Sequence, residues 1–281
     1  MSDWPLRGKV AFVTGAGRPR GIGRAAAIEL ARAGADVVVA DVARPGPRIG
    51  GLPTVAEDDA GLREAVAEIE FLGQRGLALA LDVTDEVEVE TSVAAATEHF
   101  GGIDVLFNNA GTPVGVKPFM ELGTSDWMHS WDVHVMGCVL MCRAVIPVMQ
   151  ARGGGVIINN SSASGLRVLP HYGAYTATKH ALIGLTKTLA LEFGPDGIRV
   201  VVICPGDIAT DMADLGMELG AQQSGLDPST QESLAPLETI ALRRRGEAAE
   251  VGRVVAWLAS SGASYISGES IVIDGALMEG L

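Results

Sequence analysis

A chain of 281 residues is long enough to build one large α/β core. With 48% hydrophobic and 20% charged residues, the composition is that of a soluble folded protein and excludes a disordered one. A formal net charge of −13 argues against nucleic acid or an anionic membrane surface as a partner, since both are held by clustered Lys and Arg.

The three cysteines, Cys138, Cys142 and Cys204, are an odd number and too few for a disulfide framework, which fits a reducing compartment. The start, Met1-Ser2-Asp3-Trp4-Pro5, lacks the basic and apolar regions of a signal peptide. No apolar stretch of membrane-spanning length is expected, and the protein reads as cytoplasmic with no membrane partner.

In chain order, the first strand is predicted over Val10–Thr14 and opens through Gly15-Ala16-Gly17-Arg18-Pro19-Arg20-Gly21-Ile22-Gly23 into a helix over Gly23–Ala33. Glycines at such a junction let the backbone turn sharply and approach a pyrophosphate, which sits at the positive end of the helix. The second strand, Asp36–Asp41, ends in a carboxylate 20 residues after Gly21. Asp41 there can accept both ribose hydroxyls of an adenosine and repel a 2′-phosphate, or it can cap the next loop. Arg18, Arg20 and Arg44 could instead bind that phosphate. The position of Asp41 favours NAD over NADP.

An irregular loop rich in Pro and Gly is expected over 44–59, then a helix over Leu62–Leu72 and a strand over Ala78–Asp82. After a helix at Glu86–His99, the fourth strand, Ile103–Asn108, runs into Asn109-Ala110-Gly111. Asp82, Val83, Asn109, Ala110 and Gly111 thus reach the carboxyl edge of the sheet, where open α/β sheets bind ligands. Asp82 suits an adenine amino group, and small residues let a cofactor pass; ordinary turn chemistry is the alternative.

A long helix is predicted over Ser125–Arg152, then a strand over Gly155–Ser161. His134, Cys138 and Cys142 recur every fourth residue, but the outer side chains lie roughly 12 Å apart on a helix rising 1.5 Å per residue, so no metal site is assigned. Ser162 follows the strand, and thirteen residues later Tyr175-Thr176-Ala177-Thr178-Lys179 lies on a predicted helix, Tyr172–Phe193. Residues four apart share a helical face, so the Lys179 ammonium can stabilise the phenolate of Tyr175 and bring it into acid/base range. Ser162 would hold a substrate oxygen against that phenol. His171 and Tyr172 either line the substrate pocket or begin the helix.

The chain closes with a strand at Arg199–Cys204, a long connection over 207–245 with the character of a substrate lid, a helix at Ala248–Ser260 and a strand at Ser270–Ile273. Seven strands alternating with helices give a doubly wound parallel sheet, a Rossmann fold, in a single domain over 1–281.

Together these residues resemble the short-chain dehydrogenase/reductase family, in its one-domain branch, from Lys9 to Asp274. The match covers Gly15, Gly21, Ile22 and Gly23 of the glycine loop, the Asn108–Gly111 motif, Ser162, Tyr175, Lys179, and Pro205, Gly206 and Thr210. The resemblance implies that Tyr175 and Lys179 also touch the cofactor, and that Pro205, Gly206, Ile208 and Thr210 meet the nicotinamide and lead into the lid. It also implies a homotetramer built on the two long helices.

Three departures qualify the resemblance. The glycine loop carries two extra residues between Gly15 and Gly21, the 44–59 loop is long, and His134 stands where the family usually has an Asn that holds a water linked to the lysine. His134 either maintains that relay or packs inside the helix.

The activity expected is hydride exchange between NAD and a partly apolar secondary alcohol or carbonyl, with Leu166, Val168, Leu169, Met212, Leu215 and Met217 as pocket wall. A 3-oxoacyl-carrier-protein reductase and a non-catalytic dinucleotide sensor are the alternatives. The first would go with NADP and a basic docking patch; the second has no need of Ser162, Tyr175 and Lys179 in register.

Overall fold

Apolar strands rich in Val and Ile, buried on both faces, form one parallel sheet in a computed structural model that describes residues 5–44, 48–49, 52–53, 58–168, 170–216 and 237–277. Its strands are β1 (Val10–Thr14), β2 (Asp36–Asp41), β3 (Gly76–Ala80), β4 (Val105–Asn108), β5 (Gly155–Asn160), β6 (Ile198–Pro205) and β7 (Ser270–Ile273). They lie in the order β3-β2-β1-β4-β5-β6-β7, with every pairing parallel. The chain therefore winds outward from β1 in both directions, and the crevice between β1 and β4 opens at their carboxyl ends.

Period-two alternation sends successive side chains to opposite faces, and each face has its own core. Val13, Val37, Phe107 and Ile158 pack with α1 (Ile22–Arg32), α2 (Ala60–Phe71) and α7 (Ala248–Ala259). Phe12, Val38, Leu106 and Ile157 pack with α3 (Glu86–Phe100), α5 (Gly137–Ala151) and α6 (Gly173–Phe193).

The third strand and the long helix depart most from the sequence reading. The third strand runs Gly76–Ala80 rather than Ala78–Asp82, because Asp82 turns back to accept hydrogen bonds from the Thr84 amide and hydroxyl. The strand begins at a glycine whose Cβ would sit only 3.0 Å from Val66, so the residue that starts it is one that strand propensity disfavours. The helix expected over Ser125–Arg152 is α4 (Thr124–Trp131), a π-helical turn at Asp132–Met136, and α5.

That composite helix is long and apolar enough to span a bilayer by length and composition, contrary to the expectation that no such stretch exists. Half of its most apolar window is buried within the fold, with Met141, Val145 and Met149 against the sheet, which accounts for that side's apolarity.

Candidate active site

The carboxyl ends of the strands enclose a cleft of about 550 Å³, lined along its length by Gly15, Gly21, Ile22, Asp41, Asp82, Val83, Asn109, Ala110, Gly111, Ser162, Tyr175, Lys179, Pro205, Gly206, Ile208 and Thr210. These come from six strand ends and from connections far apart in sequence. The topology alone gathers them, as expected at a switch point.

The glycine loop is shaped by close approach. Gly15 has φ +67°, and a Cβ there would lie 2.9 Å from Ala110. A Cβ on Gly23 would stand 2.3 Å from the Gly15 carbonyl oxygen. Asn109 ties the loop down, its Nδ2 donating to the carbonyls of Thr14 and Gly15 at 3.0 Å each, while its Oδ1 accepts from Asn160. Gly23→Ala is expected to lose roughly 1–3 kcal/mol, as overpacking does. Thermal unfolding with and without NADH measures it, and an unchanged melting temperature would refute the close packing.

Gly17 and Gly23 do not line the cleft. The Gly17 amide donates to Asp41 Oδ2 at 2.8 Å, and its carbonyl oxygen lies against Gly61 at the start of α2, where a Cβ would come within 2.0 Å. Gly17 thus positions the loop from behind.

At the β2 end of the cleft, Asp41 also accepts the Val42 amide. Burial raises its carboxyl, while the amides of Gly17 and Val42 and the charge of Arg18 draw it back. Asp82 lines the same end, but its oxygens are committed to Thr84 and Arg44. Arg20 reaches across to the segment after β6, pairing with Asp211 and Asp214.

The other end holds the reactive groups. Tyr175 is half-buried, and desolvation pushes its phenol up while the Ser162 hydroxyl draws it back. Lys179, one turn later on α6, has its Nζ 5.4 Å from the Tyr175 ring centroid and donates to the Asn160 carbonyl at 2.9 Å. Burial lowers its pKa to about 8. The Ser162 hydroxyl accepts the Ser164 amide at 3.1 Å, which fixes the serine at the start of a 3₁₀ turn.

His134 sits in the π-helical turn and is buried. Its Nε2 accepts the Thr112 amide at 3.1 Å, so the ring proton lies on Nδ1, facing the hydroxyls of Ser130 and Thr178 at 3.3 and 3.2 Å. Burial, then the Lys179 charge, push its pKa well below the usual value, so the ring stays neutral. It stands edge-on to Tyr175 with centroids 5.4 Å apart. Cys138 and Cys142 face Asn108, each Sγ lying 3.4 Å from its Nδ2, away from the histidine nitrogens.

The expected pocket wall is only partly the observed one. Met212 lines the cleft, Leu215 is buried without lining it, Leu166 and Val168 are exposed, and Leu169 and Met217 lie outside the described residues. Pro113, Val116, Val133, Tyr172 and Leu277 form apolar wall instead. Tyr172 thus lines the pocket, while His171 does not; its φ of +69° shapes the chain entering α6. Thr210 is buried, and its hydroxyl caps the helical turn over 211–216 by accepting the Ala213 amide. Pro113 and Val116 went unread because they follow a glycine motif and carry no periodicity.

A family model described as enoyl-(acyl carrier protein) reductase matches residues 15–277. An uncharacterized NAD-dependent oxidoreductase of Mycobacterium tuberculosis is 38% identical over 96% of this chain and 95% of its own length. The crystal structure of carveol dehydrogenase from Mycobacterium avium in complex with NAD superposes with a TM-score of 0.88 at 29% identity, covering 98% of this chain and 99% of that one. L-sorbose reductase from Gluconobacter frateurii, solved with NADPH and L-sorbose, gives 0.85 at 32% identity over 99% of this chain and 100% of that one.

Proposed function

We propose, because this chain belongs to the short-chain dehydrogenase/reductase family, that it is an NAD-preferring oxidoreductase interconverting a partly apolar secondary alcohol and its ketone. The observation that carries the reaction class is that Ser162, Tyr175 and Lys179 line one cleft, with Lys179 Nζ 5.4 Å from the phenol ring centroid. When bound, a nicotinamide supplies the hydride acceptor or donor. The residues present fit such a cofactor, since a Cβ at Gly15 or Gly23 would collide with neighbouring backbone and Asp41 lines the cleft at the end of β2.

In the direction of alcohol oxidation, Tyr175 Oη takes the hydroxyl proton and Ser162 holds the substrate oxygen in line. The Lys179 ammonium favours the phenolate electrostatically, and its support fades as pH rises through about 8, where it loses its proton. His134 has both ring nitrogens committed, which favours a positioning role over a proton relay. A His134→Asn variant with an altered pH–rate profile would reverse that preference.

Pro113, Val116, Val133 and Met212 support a partly apolar substrate. Exposed Met128, Trp131 and Met136 on the long helix and Leu191 on α6 support the homotetramer, which light scattering would measure. Buried, unpaired thiols suit the cytoplasm. The family description favours a second reading, a carrier-protein-linked reductase, though the net charge of −13 offers no excess of positive charge for an acidic carrier. A panel of secondary alcohols, ketones and acyl thioesters with NAD(H) and NADP(H), followed at the reduced-nicotinamide absorbance, separates them. Tight NADH binding with no turnover of any substrate would leave only a dinucleotide sensor.

A further inference from the structure

At the adenosine end of the cleft lies a cation held between two carboxylates of the protein. Arg44, three residues beyond Asp41, donates through Nη2 to Asp82 Oδ2 at 2.8 Å and through Nη1 to Glu88 Oε1 at 2.7 Å. Glu88 projects from the first turn of α3, and its other oxygen accepts the Asp82 amide at 2.7 Å. The two carboxylates are thereby locked to each other as well as to the arginine. Arg44 and Asp82 line the cleft, whereas Glu88 does not.

A guanidinium beside the ribose is ordinarily a phosphate clamp, because its planar fork matches phosphate oxygens. Here that fork faces two carboxylates, which cancel its charge and fix its plane.

We infer that Glu88 is a specificity-determining residue: by holding Arg44 against Asp82 it withholds the guanidinium from a 2′-phosphate. The inference rests on the dinucleotide reading of the cleft. It adds a second selection against NADP to the carboxylate of Asp41, acting from outside the cofactor's contact surface.

The test measures equilibrium binding of NADH and NADPH by nicotinamide fluorescence for the wild-type chain, Glu88→Ala, Arg44→Ala and the double variant. Release of one cation to the phosphate is expected to tighten NADPH binding to Glu88→Ala about tenfold, the worth of a charge-assisted hydrogen bond. NADH binding is expected to stay within about twofold, since NADH offers no phosphate there. Restoring the charge-free acceptor in Glu88→Gln should give an intermediate ratio. In the double variant the NADPH gain should vanish.

An unchanged NADPH-to-NADH ratio in Glu88→Ala overturns the inference. So does a gain that survives in the double variant, because it would then come from net charge rather than from Arg44. Failure of the wild-type chain to bind either dinucleotide would remove the underlying reading as well, and the wild-type titration alone distinguishes that case.

Discussion

Tyr175→Phe should leave a folded protein that binds NADH and turns over about 10²–10⁴-fold more slowly, the usual loss when a positioned acid/base is deleted. The phenol ring packs between the ring of His134 and the side chain of Lys179, and phenylalanine keeps that packing. Only the oxygen that meets Ser162 is lost, so the effect should fall on kcat rather than on the KM for cofactor. Stopped-flow reduction of NAD by an accepted alcohol would measure it. Full activity in this variant would displace Tyr175 from the chemistry.

Lys179→Met should separate stability from function. Burial lowers the lysine pKa from 10.5 to about 8, and Cys204, itself pushed up to about 11 by burial, carries no charge at neutral pH to compensate. Lowering a lysine pKa by that much means the charged form costs the fold on the order of 3 kcal/mol. Below pH 8 the lysine is protonated in both states and the cost is complete. Between about 8 and 10.5 the unfolded chain binds more protons than the folded one, so stability rises with pH across that window. Methionine removes both the cost and the slope, raising the melting temperature at pH 7 by several degrees while activity falls with the loss of phenolate support. A variant that melts lower than wild type at pH 7 would show that the bond to the Asn160 carbonyl outweighs desolvation.

The sheet was legible because its inner strands are unbroken Val and Ile runs, a pattern that follows from burial on both faces. Ser162, Tyr175 and Lys179 were legible because helical spacing and a strand end are local properties. The π-helical turn was not. Asp132–Met136 contains no Pro or Gly, and the partners that stabilise it around His134 come from Thr112, Ser130 and Thr178, on three different elements.

Charge pairing was equally hidden. Arg20 and Arg44 read as candidates for phosphate because their carboxylate partners are remote in sequence, Asp211 and Asp214 for one, Asp82 and Glu88 for the other. A local motif states which side chains a loop offers; it does not state which of them the rest of the chain has already engaged.

The segment leading from β6 departs and returns at a single point. Ile208–Ala209 pairs in parallel with Gly246–Glu247, and Arg245 staples that base by bonding Asp207, Asp214 and the Ile208 carbonyl. The described ends of that connection are thus joined to each other beside Pro205 and Gly206 in the cleft. Because Ser162 follows β5 while Tyr175 and Lys179 lie on α6, a connection anchored at its base in this way can vary between its ends without moving those three residues apart.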